Sequence, residues 1–290
     1  MSTPGCFLRF SDLLADHGYQ IGIEIGQGTY GKVRTVERKS DGKTMAVKIF
    51  ERNRIDKKYR DKYLPREVLI APCMRHKNII RTCEVIESNE FILQIMQYAE
   101  EGDLLLYIKT VGDIPEEKAN KMFKGLAQGL KYLHDKNIAH RDLKCENILI
   151  LKGEVLALSD FGFARAFDAG AELLSTTYCG SYAYASPEVL QATPYNAKLN
   201  DVWSLGVILY TMVCGRMPFD DRCIKEMVQK QLRRELTFPL RLQNTISDSY
   251  MCLVRAMLEP NANKRYTVDQ VLSSNWLKEI SSKRSIDQIP

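Results

Sequence analysis

The chain has 290 residues, enough for one large domain or two compact lobes. Hydrophobic residues make up 45% and charged residues 27% of it, as is typical of a soluble globular protein. The net charge of +5 arises from 41 basic and 36 acidic residues, and basic residues stand out only in short stretches such as 52–62, which also contains two aspartates. We therefore expect no nucleic-acid partner.

The eight cysteines are scattered without a Cys-x-x-Cys pair, and no histidine cluster accompanies them. Zinc binding is therefore not expected. The N-terminus lacks a charged segment followed by an apolar core, and Ser2 stands where N-myristoylation requires glycine. Because no apolar run reaches membrane-spanning length either, we expect a cytoplasmic protein with no membrane partner.

Residues 1–18 are expected to form a short N-terminal extension. Strand patterns dominate from 19 to 98, where the predicted strands lie at 21–25, 33–36, 44–49 and 91–96. The second and third of these are separated by the turn Ser40-Asp41-Gly42, which predicts a hairpin. One helix, around 63–74, interrupts this strand-rich region.

The pattern becomes helical from 99 to 277. Apolar residues recur at three- and four-residue spacing between 122 and 133, and 201–213 reads as a buried helix. Residues 278–290 are expected to be a short tail. The predicted fold is therefore α+β and bilobal, with a strand-rich N-lobe at 19–98, a helical C-lobe at 99–277 and a hinge near 97–103.

A Gly-x-Gly-x-x-Gly run occupies Gly26, Gly28 and Gly31. Dinucleotide-binding folds also use such a run, but there the glycines follow a strand and open a helix. Here β-branched residues and the turn at 40–42 come next, so the glycines are predicted to lie between two strands. An ordinary glycine turn remains an alternative until the downstream motifs are considered.

Two blocks further along carry the chemistry: His-Arg-Asp-Leu-Lys-Cys-Glu-Asn at 140–147 and Asp-Phe-Gly at 160–162. Together they supply carboxylates, an ammonium group and an amide, which is the mixture that phosphoryl transfer from a nucleotide requires. A salt-bridged loop is the alternative explanation. Because both blocks follow the glycine run and Ala46-Val47-Lys48 in this order, the chain resembles a eukaryotic protein kinase.

The resemblance implies ATP and Mg²⁺ as cofactors and a role for each residue of these blocks. Asp142 would be the catalytic base, Lys144 would neutralise charge on the transferring γ-phosphoryl group, and Asn147 and Asp160 would hold Mg²⁺. Lys48 would contact the α- and β-phosphates and pair with a helix glutamate. The candidate is Glu67; Glu51 is closer in sequence but falls on the strand or the turn after it.

By the same resemblance, ATP lies in the cleft between the lobes. The residues expected to contact it are Ile25, Gly26, Gly28, Gly31, Val33, Ala46, Lys48, Met96, Gln97, Ala99, Asp103 and Leu149. Val33, Ala46 and Leu149 would sandwich the adenine, and Met96 would be the gatekeeper. The Gln97 carbonyl and the Ala99 amide would bond the base edge, so glutamine in place of the more usual glutamate should cost little.

The segment between the Asp-Phe-Gly block and Ser186-Pro187-Glu188 resembles a kinase activation segment. Thr177 best matches the phosphorylated threonine of the family, and Arg141 is the expected partner of its phosphate. Either an upstream kinase or autophosphorylation would then activate the protein. Glu188 is expected to pair with Arg265 at the base of the segment.

Gly180-Ser181 and Lys144 favour serine/threonine kinases over tyrosine kinases. Asp103 and Glu146 stand where kinases that prefer basic substrates place acids, so protein substrates with arginine upstream of the acceptor are expected. Within the calcium/calmodulin-dependent kinase group, residues 64–67, Cys145 and 212–215 resemble the testis-specific serine/threonine kinases.

That subfamily resemblance implies a role in spermatogenesis, a monomer, and the sperm flagellum as a location besides the cytoplasm. Several positions depart from the family pattern, and two of them lie near the helix that carries Glu67. Ala71 replaces a larger apolar residue that usually bridges to Phe161, and Pro72 is expected to shorten or kink the helix that carries Glu67. These departures leave a pseudokinase scaffold as the alternative function. Against it, the four residues whose loss would favour a scaffold are all present: Lys48, Asp142, Asn147 and Asp160.

Overall fold

The computed structural model describes residues 4–27, 31–168, 174–177, 179–242 and 244–278. The chain forms two compact units, the N-lobe (Met1–Glu100) and the C-lobe (Glu101–Pro290). Most strand residues lie in the first and most helical residues in the second. The predicted α+β, bilobal class is confirmed.

The N-lobe contains one five-stranded antiparallel sheet in the order β1-β2-β3-β5-β4. Its helices and strands are α1 (Pro4–Asp16), β1 (Tyr19–Gln27), β2 (Lys32–Arg38), β3 (Lys43–Glu51), α2 (Leu64–Ile70), β4 (Thr82–Glu87) and β5 (Phe91–Gln97). The predicted turn joins β2 to β3: Gly42 adopts a φ of 67° and its amide donates to Arg38 O at 2.8 Å. Because glycine adopts this left-handed conformation at little steric cost, it allows the turn to close the hairpin.

Residues 4–16, predicted as an extension, form a helix that belongs to the N-lobe. Phe10 and Leu14 are buried in the same apolar cluster as Val36 of β2 and Phe91 of β5. Their four-residue spacing places both side chains on one face of α1. This helix is not predicted from the sequence, because its burial depends on a sheet formed by later residues.

The helix that carries Glu67 is short and has irregular turns on both sides. A π-helical turn, Tyr59–Tyr63, precedes α2, and a 3₁₀ turn, Ala71–Cys73, follows it. The helix ends at Ile70, two residues before Pro72, because proline has no amide hydrogen to donate to the preceding turn. Ala71 is buried.

The boundary between the lobes lies after Glu100, two residues later than the predicted boundary at 98/99. The amide of Gln97 still donates to Arg81 O of the N-lobe at 2.9 Å. From Glu101 onward the backbone bonds to the C-lobe: Glu101 N donates to Ile150 O, and Ile150 N donates to Gly102 O. Backbone pairing on each side therefore sets the boundary, which hydrophobic pattern alone could not locate.

The described residues of the C-lobe are mostly helical and include three short antiparallel strand pairs, β6–β9, β7–β8 and β10–β11. Its helices and strands are α3 (Leu104–Val111), α4 (Glu116–Asp135), β6 (Ile138–Ala139), β7 (Ile148–Leu151), β8 (Val155–Leu158), β9 (Arg165–Ala166), β10 (Leu174–Ser175), α5 (Pro187–Leu190), β11 (Tyr195–Asn196), α6 (Ala197–Cys214), α7 (Ile224–Leu232), α8 (Asp248–Met257) and α9 (Val268–Leu272). Short 3₁₀ turns lie at Cys145–Asn147, Tyr182–Tyr184 and Leu240–Leu242.

The predicted buried helix is α6, which forms the centre of the C-lobe. From Asn200 to Cys214 every residue is buried. The side chain of Asn196 caps its first turn, and Gly215, with a φ of 65°, ends it. Among the described residues, no helix combines the length and the apolar character needed to cross a lipid bilayer.

Candidate active site

The glycine run begins inside β1 and ends just before β2: Gly26 is the penultimate residue of β1, and Gly31 immediately precedes β2. β1 ends at Gln27 and β2 begins at Lys32, so no helix follows and the dinucleotide-binding arrangement is excluded. A Cβ at Gly31 would lie 2.5 Å from Ile49 O, so close packing requires glycine there. A Cβ at Gly26 would meet nothing nearer than Val33 Cβ at 4.0 Å, and this open space fits a backbone that covers phosphates. Gly28 lies outside the described residues.

Lys48 and Glu67 form an ion pair inside the N-lobe. Lys48 Nζ lies 2.6 Å from Glu67 Oε1, and the Glu67 side chain is only 1% exposed. The Tyr59 hydroxyl donates to the other carboxylate oxygen, Oε2, at 2.9 Å. Glu51, the nearer glutamate in sequence, pairs instead with Arg54. The structure therefore brings together the two residues paired from the sequence and adds Tyr59, which the sequence analysis missed.

Three residues expected to contact adenine lie on neighbouring strands of the N-lobe sheet. Ala46 in β3 lies opposite Met96 in β5, and Val33 belongs to the adjacent strand β2. The Gln97 amide is engaged with Arg81 O, which is compatible with the predicted use of the Gln97 carbonyl for the base.

The remaining predicted nucleotide contacts are divided between the lobes. Ile25, 40% exposed, lies in β1, and Ala99 follows β5. In the C-lobe, Asp103 and Leu149 form a backbone bridge, which places them side by side. Asp103 also caps α3, since its carboxylate accepts a hydrogen bond from Leu106 N at 2.9 Å. This structural role was not predicted.

The loop after β6 gathers the residues predicted to act on the substrate hydroxyl. Asp142 is 6% exposed, and its Oδ2 lies 3.2 Å from Lys144 Nζ and 3.1 Å from Asn147 Nδ2. Its Oδ1 accepts hydrogen bonds from the Ser181 amide at 3.1 Å and hydroxyl at 3.3 Å. At Gly180 a Cβ would lie 2.7 Å from Arg141 O, so only glycine lets the two loops approach this closely.

A buried carboxylate from α6 holds this loop in place. Asp201 Oδ2 accepts the His140 amide at 2.8 Å and lies 3.0 Å from His134 Nε2, while Oδ1 accepts the Arg141 amide at 2.8 Å. These bonds hold Arg141 at a φ of 65°, a conformation that non-glycine residues rarely adopt. The sequence analysis gave Asp201 no role, although an aspartate at the start of an apolar helix was a usable signal.

The predicted Mg²⁺ ligands lie at one end of the β7–β8 hairpin. Ile148 pairs with Leu158, so Asn147 and Ser159 are brought together, and the Ser159 amide and hydroxyl both donate to Asn147 O at 2.9 Å. Asp160 comes next, exposed and with a φ of 61°. The Asn147 side-chain nitrogen bonds to Asp142. The candidate metal ligands are therefore the side-chain oxygen of Asn147 and the carboxylate of Asp160. Such oxygens are the ligands that Mg²⁺ prefers, so the residues fit the ion.

Cys145 lies inside the catalytic loop, but its thiol is unreactive. The side chain is fully buried. The pKa of the thiol is raised to about 12, chiefly by burial; the hydrogen bond with Tyr184 lowers it, and the charges of Glu146 and Asp103 raise it. The thiol therefore stays protonated at neutral pH and is not a nucleophile.

Arg141 connects the catalytic loop to the activation segment. Its Nε donates to Phe163 O at 2.8 Å, and its Nη1 donates to Ser175 Oγ at 3.3 Å. Its Nη2 is buried and has no hydrogen-bond partner among the described residues. Thr177 lies two residues beyond Ser175; its amide donates to Ser175 Oγ, and its carbonyl accepts the Tyr195 hydroxyl at 2.9 Å.

The end of the activation segment is attached to the C-lobe by a buried ion pair. Arg265 Nη1 and Nη2 lie 2.6 and 2.9 Å from the two oxygens of Glu188. The same guanidinium donates to Glu259 O and Leu199 O and lies 5.0 Å from the Trp203 ring centroid. The two residues paired from the sequence are thus in direct contact.

Comparison with known proteins places this geometry in a family. The protein kinase domain family matches residues 19–277. The chain is 41% identical over 270 residues to testis-specific serine/threonine-protein kinase 1 of Mus musculus. The aligned region covers 92% of this chain and 73% of that relative. It is 40% identical over 267 residues to testis-specific serine/threonine-protein kinase 3 of Homo sapiens, covering 92% and 98%. The predicted resemblance is confirmed: the chain belongs to the protein kinase family and is a protein serine/threonine kinase related to the testis-specific kinases.

Proposed function

We propose that this kinase transfers the γ-phosphoryl group of Mg-ATP to serine and threonine hydroxyls in protein segments with arginine upstream, and that phosphorylation of Thr177 activates it. The observation that carries the proposal is the cluster around Asp142. An ammonium group and an amide each lie within 3.2 Å of the same carboxylate in a largely buried loop. This combination can orient a hydroxyl, take its proton and neutralise charge on a phosphoryl group.

In this mechanism Asp142 orients the substrate hydroxyl and accepts its proton as the hydroxyl oxygen bonds to the γ-phosphorus, while the bond from that phosphorus to the β,γ-bridging oxygen breaks and ADP leaves. The Lys144 ammonium lies 3.2 Å from the Asp142 carboxylate. From there it would stabilise the negative charge on the γ-phosphoryl group during transfer. Asn147 and Asp160 would hold the magnesium ion through side-chain oxygens. Bound Mg-ATP supplies the phosphoryl group and the divalent cation.

The N-lobe contributes a positioned ammonium group. Lys48 is mostly buried, and the Glu67 carboxylate at 2.6 Å holds its Nζ in one place. A fixed ammonium binds phosphate oxygens without the entropy cost of ordering a long flexible side chain. We assign Lys48 to the α- and β-phosphates on this basis.

Two acidic residues support a preference for basic substrates. Glu146 is exposed in the 3₁₀ turn of the catalytic loop, and Asp103 forms a backbone bridge with Leu149, three residues after Glu146 in the chain. A guanidinium group pairs well with such carboxylates.

The proposal is tested with two serine peptides that differ only in having arginine or alanine upstream of the acceptor. We expect kcat/KM to be about tenfold higher for the arginine peptide, and Glu146→Gln to remove most of this difference. Glu235→Gln, an exposed acid beyond α7, serves as the matched control and should retain the preference. Transfer to neither peptide would instead favour a nucleotide-binding scaffold.

The surroundings of Arg141 support activation through Thr177. A phosphate on a residue near Arg141 would give the buried Nη2 a strong acceptor. Thr177 follows a short stretch, β10, that already pairs with β11 and is attached to Tyr195 through its carbonyl. Phosphorylation would thus strengthen an existing attachment of the segment.

We expect Thr177→Ala to lower kcat about a hundredfold in the activated enzyme, because the phosphate would contribute several charge-assisted hydrogen bonds to an ordered segment. Steady-state kinetics after treatment with an activating kinase or after autophosphorylation provides the measurement. Thr176→Ala, at the exposed neighbouring threonine, is the control and should retain full activity. Undiminished activity of Thr177→Ala would remove this regulatory site.

Both relatives are named as testis-specific kinases, and we propose that this kinase also acts in male germ cells. We further propose that it is a monomer located in the cytoplasm and the sperm flagellum. Immunostaining of testis sections against other tissues tests the location. Staining absent from germ cells would reject the role in spermatogenesis.

A further inference from the structure

The π-helical turn Tyr59–Tyr63 places a buried tyrosine beside the Lys48–Glu67 pair. Tyr59 is 2% exposed, and its amide donates to Asp56 Oδ1 at 2.9 Å, which fixes the start of the turn. The centroid of its ring lies 5.9 Å from the centroid of the Tyr63 ring. Wide helical turns of this kind are rare and often occur at functional sites.

The Tyr59 hydroxyl reaches Glu67 from eight residues earlier in the chain. It donates to Glu67 Oε2 at 2.9 Å, while Lys48 Nζ lies 2.6 Å from Oε1. The two donors therefore engage different oxygens of one buried carboxylate. Because a carboxylate held at both oxygens cannot rotate freely about its terminal torsion, the position of Lys48 Nζ is restricted in turn.

We propose that Tyr59 is a positioning residue that acts through Glu67 to hold the Lys48 ammonium for the phosphates of ATP. The inference rests on the proposed function, which assigns Lys48 to those phosphates. It explains how Glu67 stays in place on α2, a helix of only seven residues that is followed by the small side chain of Ala71. The hydroxyl is the functional part, since a phenylalanine ring would fill the same space.

The test compares Tyr59→Phe with Tyr19→Phe, a matched control. Tyr19 is also a buried N-lobe tyrosine whose hydroxyl donates to a glutamate, Glu84 Oε2, at 2.8 Å, but the other oxygen of that glutamate lies 3.0 Å from His17 Nδ1. We expect Tyr59→Phe to lower kcat/KM for ATP about tenfold and Tyr19→Phe to change it less than twofold. The melting temperatures of both full-length variants should fall by similar small amounts, which separates positioning from stability.

A double-mutant cycle with Glu67→Ala shows whether the hydroxyl acts through the carboxylate. Since Glu67→Ala removes both acceptor oxygens, adding Tyr59→Phe should then lower kcat/KM for ATP by less than twofold. An unchanged tenfold loss in the Glu67→Ala background would overturn the inference, as would equal activity of Tyr59→Phe and wild type. A wild-type enzyme that transfers no phosphate would instead contradict the proposed function.

Discussion

Replacing Asp142 by asparagine is expected to lower kcat for peptide phosphorylation about a thousandfold, because the amide can orient a hydroxyl but cannot accept its proton. The substitution is nearly isosteric, so the contacts with Ser181 and Asn147 provide partners for the new side chain. The KM for ATP should therefore change less than twofold. Steady-state transfer of the γ-phosphoryl group to an arginine-containing serine peptide is the measurement.

Asp135→Asn is the matched control for this experiment. Asp135 is an exposed aspartate at the end of α4, paired with Lys131, so its loss should leave kcat unchanged. If Asp142→Asn retained more than a tenth of wild-type activity, another group would have to be the base. If wild type and variant showed the same background signal, the protein would not transfer phosphate under the conditions used.

Replacing Arg265 by methionine is expected to destabilise the C-lobe by about 3–5 kcal/mol, because it leaves the Glu188 carboxylate without its buried partner. Arg265 also contacts Glu259 O and Leu199 O, so the loss extends beyond the ion pair. Loss of the guanidinium should lower the melting temperature by about 10 °C. Thermal unfolding followed by circular dichroism measures the effect.

The control for this prediction is Arg222→Met. Arg222 also contacts both oxygens of one carboxylate, Asp220, but its side chain is 88% exposed. Solvent screens this pair, so the melting temperature should not change measurably. Equal melting temperatures for Arg265→Met and wild type would show that the Glu188–Arg265 pair contributes nothing beyond what a hydrophobic side chain provides.

The groups predicted to do the chemistry could be assigned from sequence because they fall in short contiguous blocks. Asp142, Lys144 and Asn147 lie within six residues of one another, and a loop this short keeps its side chains together in any fold that orders it. The alternation in β1 and β2 and the three- and four-residue spacing in α4 likewise depend only on local geometry. Local periodicity thus predicted the main elements of both lobes.

Some elements escaped prediction because their local signal is weak. β4 was not predicted, since its alternation is mixed with exposed polar residues. The pairs β6–β9 and β10–β11 contain two residues per strand, too few for any periodicity to show. Helix α1 has an apolar face that is buried only by packing against the N-lobe sheet, which later residues form.

The sequence by itself therefore determined the family, the order of the main elements and the residues predicted to act on ATP and the substrate hydroxyl. The tertiary structure alone decided that α1 is part of the N-lobe and that Asp201 holds the catalytic loop from 60 and 61 residues away. It also decided that Tyr59 reaches Glu67 through a π-helical turn. The physical reason is the range of the interactions: spacing along the chain encodes local geometry, whereas a hydrogen bond between distant segments exists only after packing has brought them together.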